Sequence, residues 1–181
     1  AWRAFEGDAG CELYLKTTFA RGDLASGRFG NVIVDTRDLG DEAMRDLYHS
    51  AHCFVFPSLG EGFGFTMAEA MSTGLPCVFT PATALADLAD ASCGYPVRYA
   101  VRRCFEMGWA GGRRRLPAAS ADIADLAGRM REVRRDYAEA LRRGHLAACR
   151  MRERFTWEAA GRELRRRLEM VGECLAAAAC Q

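Results

Sequence analysis

Lysine is almost absent from this chain of 181 residues, in which Lys16 is the only lysine among 25 basic residues. Because 24 acidic residues balance them, the formal net charge is only +1. A charge so close to zero argues against a protein built chiefly to bind nucleic acid, and we expect no nucleic-acid partner. No apolar run approaches the roughly 18 to 20 residues of a membrane span, so we also expect no transmembrane segment.

Motifs for metal ions and disulfides are also missing, although the chain has eight cysteines. No C-x-x-C pair occurs and no histidine cluster accompanies the cysteines, so we expect no metal site. Cys53 and Cys77 fall within apolar runs, where a thiol behaves as a small apolar group. We therefore expect reduced, structural cysteines and a cytoplasmic protein.

What the chain does have is apolar residues, which make up half of it and suffice for one good core. Short apolar runs that read as strands alternate with segments of helical spacing, and this alternation predicts an α/β fold with a parallel, doubly wound sheet. A loop containing Gly22, Gly27 and Gly30 is expected between the first two strands. The predicted strands are Cys11–Thr17, Asn31–Thr36, Cys53–Pro57, Pro76–Thr80 and Gly94–Arg98.

The last part of the chain is predicted to be helical. Residues 99–119 carry glycines, an arginine run and Pro117, so we expect an irregular surface segment there. Ser120 is the predicted N-cap of the helix that follows it. A second helix is expected from Asp136, and Thr156 is expected to cap a long amphipathic third helix.

The stretch Ser58–Pro76, with the sequence SLGEGFGFTMAEAMSTGLP, carries the chemistry. It joins two predicted strands through a glycine-rich turn and a helix that begins near Phe65 or Thr66 and ends at Gly74. In such a unit the glycines lie at the carboxyl edge of a parallel sheet, where open α/β folds bind ligands.

An anionic group is the ligand that this arrangement favours, because the free N–H groups of the helix N-terminus point towards it. Gly62 and Gly64 have no side chain to obstruct a diphosphate. Glu69, about one turn into the helix, is placed to accept hydrogen bonds from a pair of vicinal hydroxyls, while Glu61 lies on the loop itself. A ribose and a second sugar therefore suit the two carboxylates.

The segment EGFGFTMAEAMSTGLP resembles the E-x7-E signature of retaining GT-B glycosyltransferases of the group 1 type. The glycines, Glu61, Glu69, the AEAM helix and the GLP exit all agree with that signature. A second stretch, FTWEAA from Phe155, resembles the F-S-W-E stretch that opens the terminal helix of the same family. The resemblance therefore covers most of the chain.

The resemblance implies a role for each residue of this segment. Glu61 is the implied catalytic residue and faces the donor sugar, Glu69 holds the ribose of the nucleotide, and backbone amides of the GFG turn contact sugar or phosphate. Lys16, at the end of a predicted strand, either pairs with a phosphate or is simply solvated. The implied substrate-binding residues are Lys16, Gly62, Phe63, Gly64, Phe65, Thr66 and Glu69.

The implied activity is transfer of a sugar from a nucleotide-sugar donor, such as a UDP- or GDP-sugar, to an unknown acceptor. Retention of configuration is expected, with no metal and no cofactor. Residues 1–154 would form the donor-binding Rossmann-like domain, lacking its first part, and residues 155–181 a C-terminal amphipathic helix packing on it. An N-terminal acceptor domain, and an Arg and a Lys just before Ala1, would be missing, so the chain alone should bind nucleotide but hardly turn over.

Two other functional classes share these features. A non-catalytic module that binds nucleotide sugars would keep the same glycines and acids, and so would a nucleotide-sugar epimerase of similar architecture. For the acids themselves there is also a purely structural interpretation. Glu61 would then be a surface loop acid, and Glu69 an acid near a helix N-terminus that the helix dipole favours.

Overall fold

The computed structural model describes residues 1–8, 10–17, 26–109 and 112–179, and their side chains except at 103–116 and beyond 175. Strands and helices alternate along most of the described chain, and the predicted α/β fold class is confirmed. The strands form two three-stranded sheets and a separate hairpin, and no hydrogen-bonded strand pair joins these units among the described residues.

The first sheet has the strand order β1-β3-β2. β1 (Leu13–Lys16) pairs with β3 (Val32–Asp35) in parallel, and β2 (Gly27–Phe29) pairs with β3 antiparallel. The prediction of a loop around Gly27 and Gly30 was therefore wrong for β2, because cross-strand hydrogen bonds to β3 outweigh the poor strand propensity of glycine. Gly22 lies outside the described residues.

The second sheet contains the predicted parallel strands and positions the candidate site. β4 (Phe54–Phe56), β5 (Cys77–Phe79) and β6 (Tyr95–Pro96) pair in that order, all in parallel. β5 is completely buried, as expected for a central parallel strand. α1 (Asp41–Ser50) leads from the first sheet into β4. α2 (Phe65–Ser72) then joins β4 to β5, and α3 (Leu85–Leu88) joins β5 to β6.

Of residues 99–119, predicted to be irregular, 99–109 and 112–119 lie instead in two long antiparallel strands, β7 (Tyr99–Trp109) and β8 (Gly112–Ala121). Residues 110 and 111 are outside the described part of the chain. The prediction was wrong because it relied on the glycines and Pro117. Pro117 pairs with Arg103, next to a register shift in β7, and a proline is tolerated at such an irregularity. Ser120, the predicted N-cap, is a strand residue that pairs with Ala100.

The predicted C-terminal helices are confirmed, with α4 capped two residues later than expected. Asp122 caps α4, because its carboxylate accepts hydrogen bonds from the N–H groups of Ala124 and Asp125, both at 2.9 Å. The three helices are α4 (Ile123–Arg135), α5 (Tyr137–Arg154) and α6 (Trp157–Ala179). Thr156 accepts from Ala159 N–H near the start of α6, as predicted.

The amphipathic pattern of α6 does not correspond to a buried face among the described residues. The Trp157 side chain is 91% exposed, and four further apolar residues of the helix are exposed as well: Leu164, Leu168, Val171 and Leu175. Within the described part of the chain, no helix combines the length and the apolar character that crossing a membrane requires.

The core forms where α2 packs between the second sheet and α5. Met67 and Met71 of α2 are fully buried in one apolar cluster with Phe79 of β5 and Met151 of α5. The contact between α2 and α5 is close because Gly144 of α5 lies directly against the backbone of Gly74. A Cβ placed on Gly144 would come within 2.1 Å of the Gly74 carbonyl oxygen.

This contact predicts that Gly144→Ala lowers the free energy of unfolding by about 1–3 kcal/mol, because a methyl group has no space without a backbone shift. The matched control is Gly128→Ala in α4, where a Cβ meets nothing within 4 Å. That change should stabilise the helix by roughly 0.5–1 kcal/mol. Denaturant unfolding of both variants measures the difference, and equal effects at the two positions would contradict the packing account.

Candidate functional site

The amino terminus of α2 lies immediately after the loop that leaves β4. Gly64, the residue before the helix, has φ 89° and ψ 50°, a left-handed conformation that favours glycine. The first intrahelical bond of α2 runs from Ala68 N–H to the Gly64 carbonyl at 3.0 Å. Gly64 provides no side-chain cap, and no acidic residue lies in the first turn. The positive end of the helix dipole is therefore not neutralised by its own sequence.

Glu61 is fixed on the loop by two short contacts. Ser58 Oγ donates to Glu61 Oε1 at 2.7 Å, and the Glu61 backbone N–H donates to Thr83 Oγ1 at 2.9 Å. The first contact orients the carboxylate and the second attaches the loop to the segment that follows β5. Thr83 was not among the predicted site residues, since nothing in its sequence context links it to the loop.

Glu69 is oriented by Tyr48 of α1, which was not among the predicted site residues. The Tyr48 hydroxyl lies 3.0 Å from Glu69 Oε2 and 3.3 Å from the Thr66 carbonyl oxygen. Burial, and then the hydrogen bond to Glu69, raise the pKa of Tyr48 above its ordinary value. The phenol therefore remains protonated at neutral pH and donates to the carboxylate. One Glu69 oxygen is engaged in this way while the side chain as a whole is exposed.

The two phenylalanines of the loop form an exposed aromatic surface. Phe65 is 71% exposed, Phe63 is 37% exposed, and their ring centroids are 4.7 Å apart. Phe155, at the end of α5, lies 6.1 Å from the Phe63 ring in an edge-on arrangement. Thr66 is also exposed at the start of α2. Predicted site residues from the loop and the helix therefore share one solvent-facing region.

The two glycines of the GFG turn have different surroundings. A Cβ on Gly62 would meet nothing within 4 Å, so the backbone there is open to solvent. A Cβ on Gly64 would come within 2.5 Å of Leu85 Cδ2, a buried atom of α3. Gly62 thus permits the approach of a ligand, whereas Gly64 permits the packing of α3 and the left-handed turn.

Lys16 lies on the first sheet, and its ammonium group is engaged there. Its Nζ donates to the carbonyl oxygens of Arg37 at 2.6 Å and Thr17 at 3.3 Å. Neither of these hydrogen bonds reaches the loop around Glu61. The structure therefore brings Glu61, Glu69 and the helix N-terminus into one segment, and leaves Lys16 outside their hydrogen-bond network.

Metal-binding clusters, cysteine thiols and a second cavity are the other features on which a site could depend. Among the residues described, no group of three or more His, Cys, Asp or Glu side chains is arranged to hold a metal ion. Cys53 and Cys77 are free thiols, and burial raises the pKa of Cys53 to about 12. A cavity of about 750 Å³ near Trp2 and Asn31 has no lining residue in common with the Ser58–Pro76 segment.

The contrast between the two glycines gives a prediction. Gly64→Ala should lower the free energy of unfolding by about 1–3 kcal/mol, because the new methyl group meets Leu85 and the left-handed backbone is strained. Gly62→Ala should change it by no more than about 0.5 kcal/mol. Denaturant titration of both variants compares them, and a fully stable Gly64→Ala would show that the left-handed turn is not needed.

Comparison with known proteins finds a family match that includes the Ser58–Pro76 segment. Residues 21–103, just under half of the chain, match a family model described as glycosyl transferases group 1. A stretch of 48 residues is 46% identical to O-antigen chain mannosyltransferase B of Escherichia coli, and covers 26% of this chain and 13% of that protein.

The family match contains both glutamates and the whole of α2, and the fold around them is α/β with parallel strands. The matched stretch spans only a small part of the length of the mannosyltransferase. Part of this chain is therefore similar to group 1 glycosyl transferases and to a mannosyltransferase.

Proposed function

We propose that this chain is the donor-binding half of a retaining hexosyltransferase, and that the Ser58–Gly64 loop and α2 bind a nucleotide sugar. One observation carries the proposal. Two carboxylates, one held by a serine hydroxyl of the same loop and the other by a tyrosine hydroxyl of α1, lie near an uncapped helix N-terminus. Ser58 orients Glu61, and Tyr48 orients Glu69. An arrangement of fixed acids and free amides suits a ligand that carries both sugar hydroxyls and phosphates.

The diphosphate would lie against the first turn of α2. The backbone N–H groups that precede Ala68 have no intrahelical acceptor, and the helix dipole favours an anion there. The absence of an acidic residue from this turn leaves that attraction intact. Gly62 lets the ligand approach the loop backbone closely, because no side chain stands in front of it. Phe63 and Phe65 would provide the apolar wall of the same site.

Glu69 would bind the ribose through its carboxylate. Tyr48 occupies one oxygen and restricts the rotation of the side chain, which leaves acceptor capacity for a pair of vicinal hydroxyls. Hydrogen bonds to an ionised carboxylate are stronger than neutral ones. This orientation by a buried phenol is what separates a binding role from that of a merely dipole-favoured surface acid.

Glu61 would position the donor sugar at the reacting carbon. Its contribution is orientation more than proton transfer, because a carboxylate bonded to sugar hydroxyls fixes the ring relative to the departing diphosphate. The amides of the loop and of α2 would stabilise the charge that develops on that leaving group. In this scheme the configuration is retained and the chain's own residues require no metal. Lys16 would contact a phosphate only by giving up its bond to the Arg37 carbonyl.

The rest of the reaction lies outside this chain in the proposal. Residues 1–154 would be the donor-binding domain and residues 155–181 a helix associated with it, while an N-terminal domain would bind the acceptor. Since the matched relative is a mannosyltransferase, GDP-mannose is the first donor to test. Free thiols at the described cysteines favour a reducing, cytoplasmic setting.

Glu69→Ala should weaken nucleotide binding by about 1.5–3 kcal/mol, the usual scale for a hydrogen bond to a charged group. Calorimetric titration with GDP, UDP and ADP measures the loss and identifies the base. Glu169→Ala in α6 is the matched control, because it removes an exposed helical glutamate away from the loop. The control should bind as the parent does.

Two outcomes would contradict the proposal. Equal affinity of Glu69→Ala and the parent for nucleotide would contradict the assignment of Glu69 to the ribose. A folded parent that binds no nucleotide would contradict the donor site as a whole. Product analysis of a longer protein that includes this chain then separates the alternatives. A transferase moves the sugar to an acceptor, an epimerase inverts a centre on the free nucleotide sugar, and a non-catalytic module does neither.

A further inference from the structure

Thr83 has a backbone conformation that is unusual for its residue type. It is the only non-glycine residue with a positive φ in the described part of the chain, at 52°. A β-branched side chain is disfavoured in the left-handed region, where glycine is accepted without strain. Such strained positions persist only where the surrounding structure over-determines them, and they concentrate at functional sites. A threonine at this strained position is therefore a candidate for a specific role at the site.

The Thr83 side chain bridges two loops. Its hydroxyl donates to the Ala82 carbonyl at 2.7 Å and accepts from the Glu61 N–H at 2.9 Å. Its methyl carbon would lie 3.7 Å from a Cβ placed on Gly60, so it borders that residue as well. Glycine would remove the strain at this position, but it would also remove both the hydroxyl and the methyl contact.

The two loops leave neighbouring parallel strands at the same edge of the second sheet. Glu61 belongs to the loop after β4, and Thr83 belongs to the loop after β5. The Ala86 N–H donates to the Thr83 carbonyl at 3.2 Å, and this bond anchors the threonine to the start of α3. Thr83 thus connects the exposed glycine loop to a segment packed into the core through Leu85.

We propose that Thr83 is a positioning residue for Glu61 and thereby determines how well the site binds the sugar, as opposed to the nucleotide, of the donor. The inference rests on the proposed function of the loop. The Thr83 hydroxyl accepts from the Glu61 N–H, and the Ser58 hydroxyl donates to the Glu61 carboxylate. Within the described part of the chain, Thr83 makes no hydrogen bond to Glu69 or to the first turn of α2, so its substitution should leave the affinity for the nucleotide unchanged.

Three substitutions separate the hydroxyl, the shape and the strain. Thr83→Val keeps the branched shape and loses the hydroxyl, Thr83→Ser keeps the hydroxyl, and Thr83→Gly removes both the strain and the hydroxyl. Each variant is titrated calorimetrically with GDP and GDP-mannose, and with UDP and UDP-glucose. The measured quantity is the ratio of the affinity for the nucleotide sugar to the affinity for the corresponding nucleoside diphosphate, called the free diphosphate below.

The proposal predicts that Thr83→Val and Thr83→Gly reduce this ratio by about 3- to 10-fold, the effect of losing one ordinary hydrogen bond, while Thr83→Ser stays within about twofold of the parent. Affinity for the free diphosphate should remain unchanged in all three. An equal loss for conjugate and free diphosphate, or no loss in Thr83→Gly, would overturn the proposal. Should Thr83→Val not fold, Thr83→Gly decides, because it relieves the strain.

A second readout needs no ligand. The Glu61 amide should exchange with solvent faster in Thr83→Val and Thr83→Gly than in the parent, and at the parent rate in Thr83→Ser. An unchanged exchange rate in the glycine variant would overturn the positioning role even if the site binds nucleotide. If the parent itself binds none of the four ligands, the proposed function fails and the sugar-positioning role fails with it. These outcomes distinguish the two failures.

Discussion

The placement of α2 depends on two left-handed glycines, one at each end of the helix. Gly64 starts it against Leu85, and Gly74, with φ 81°, ends it with hydrogen bonds from Gly74 and Leu75 back to Met71 and Ala70. The same Gly74 backbone contacts Gly144 of α5, so the end of the helix is fixed to the core. Because both ends of α2 are fixed, the orientation of its first-turn amides and of Glu69 relative to the core is fixed as well.

Each acid of the site has a contact to a residue that lies far from it in the sequence. Tyr48 reaches Glu69 from α1, 21 positions earlier, and Thr83 reaches the Glu61 backbone from 22 positions later. Each contact uses a hydroxyl, which donates or accepts without adding charge. The loop and helix motif therefore supplies the binding groups, and the surrounding α/β fold supplies their orientation. That division is what the proposed donor site requires, because positioning is its main contribution.

The sequence was most informative where local signals coincide. The β4-loop-α2-β5 unit could be predicted because the glycines, the helix start near Phe65 or Thr66 and the Gly74 stop all agree. Long-range pairing could not be predicted in the same way. β2, β7 and β8 form through cross-strand hydrogen bonds, whereas their glycines and proline locally favour loops. Tyr48 and Thr83 were missed for the same reason, since only the folded chain brings them to the acids.

The most direct test of the donor site is to map backbone amide chemical shifts while the chain is titrated with GDP, UDP and ADP. The account predicts that one nucleotide produces its largest shifts at Gly62, at the first turn of α2 from Phe65 and at Glu69. Shifts concentrated instead around the cavity near Trp2 and Asn31, or no shifts with a folded chain and millimolar nucleotide, would contradict it.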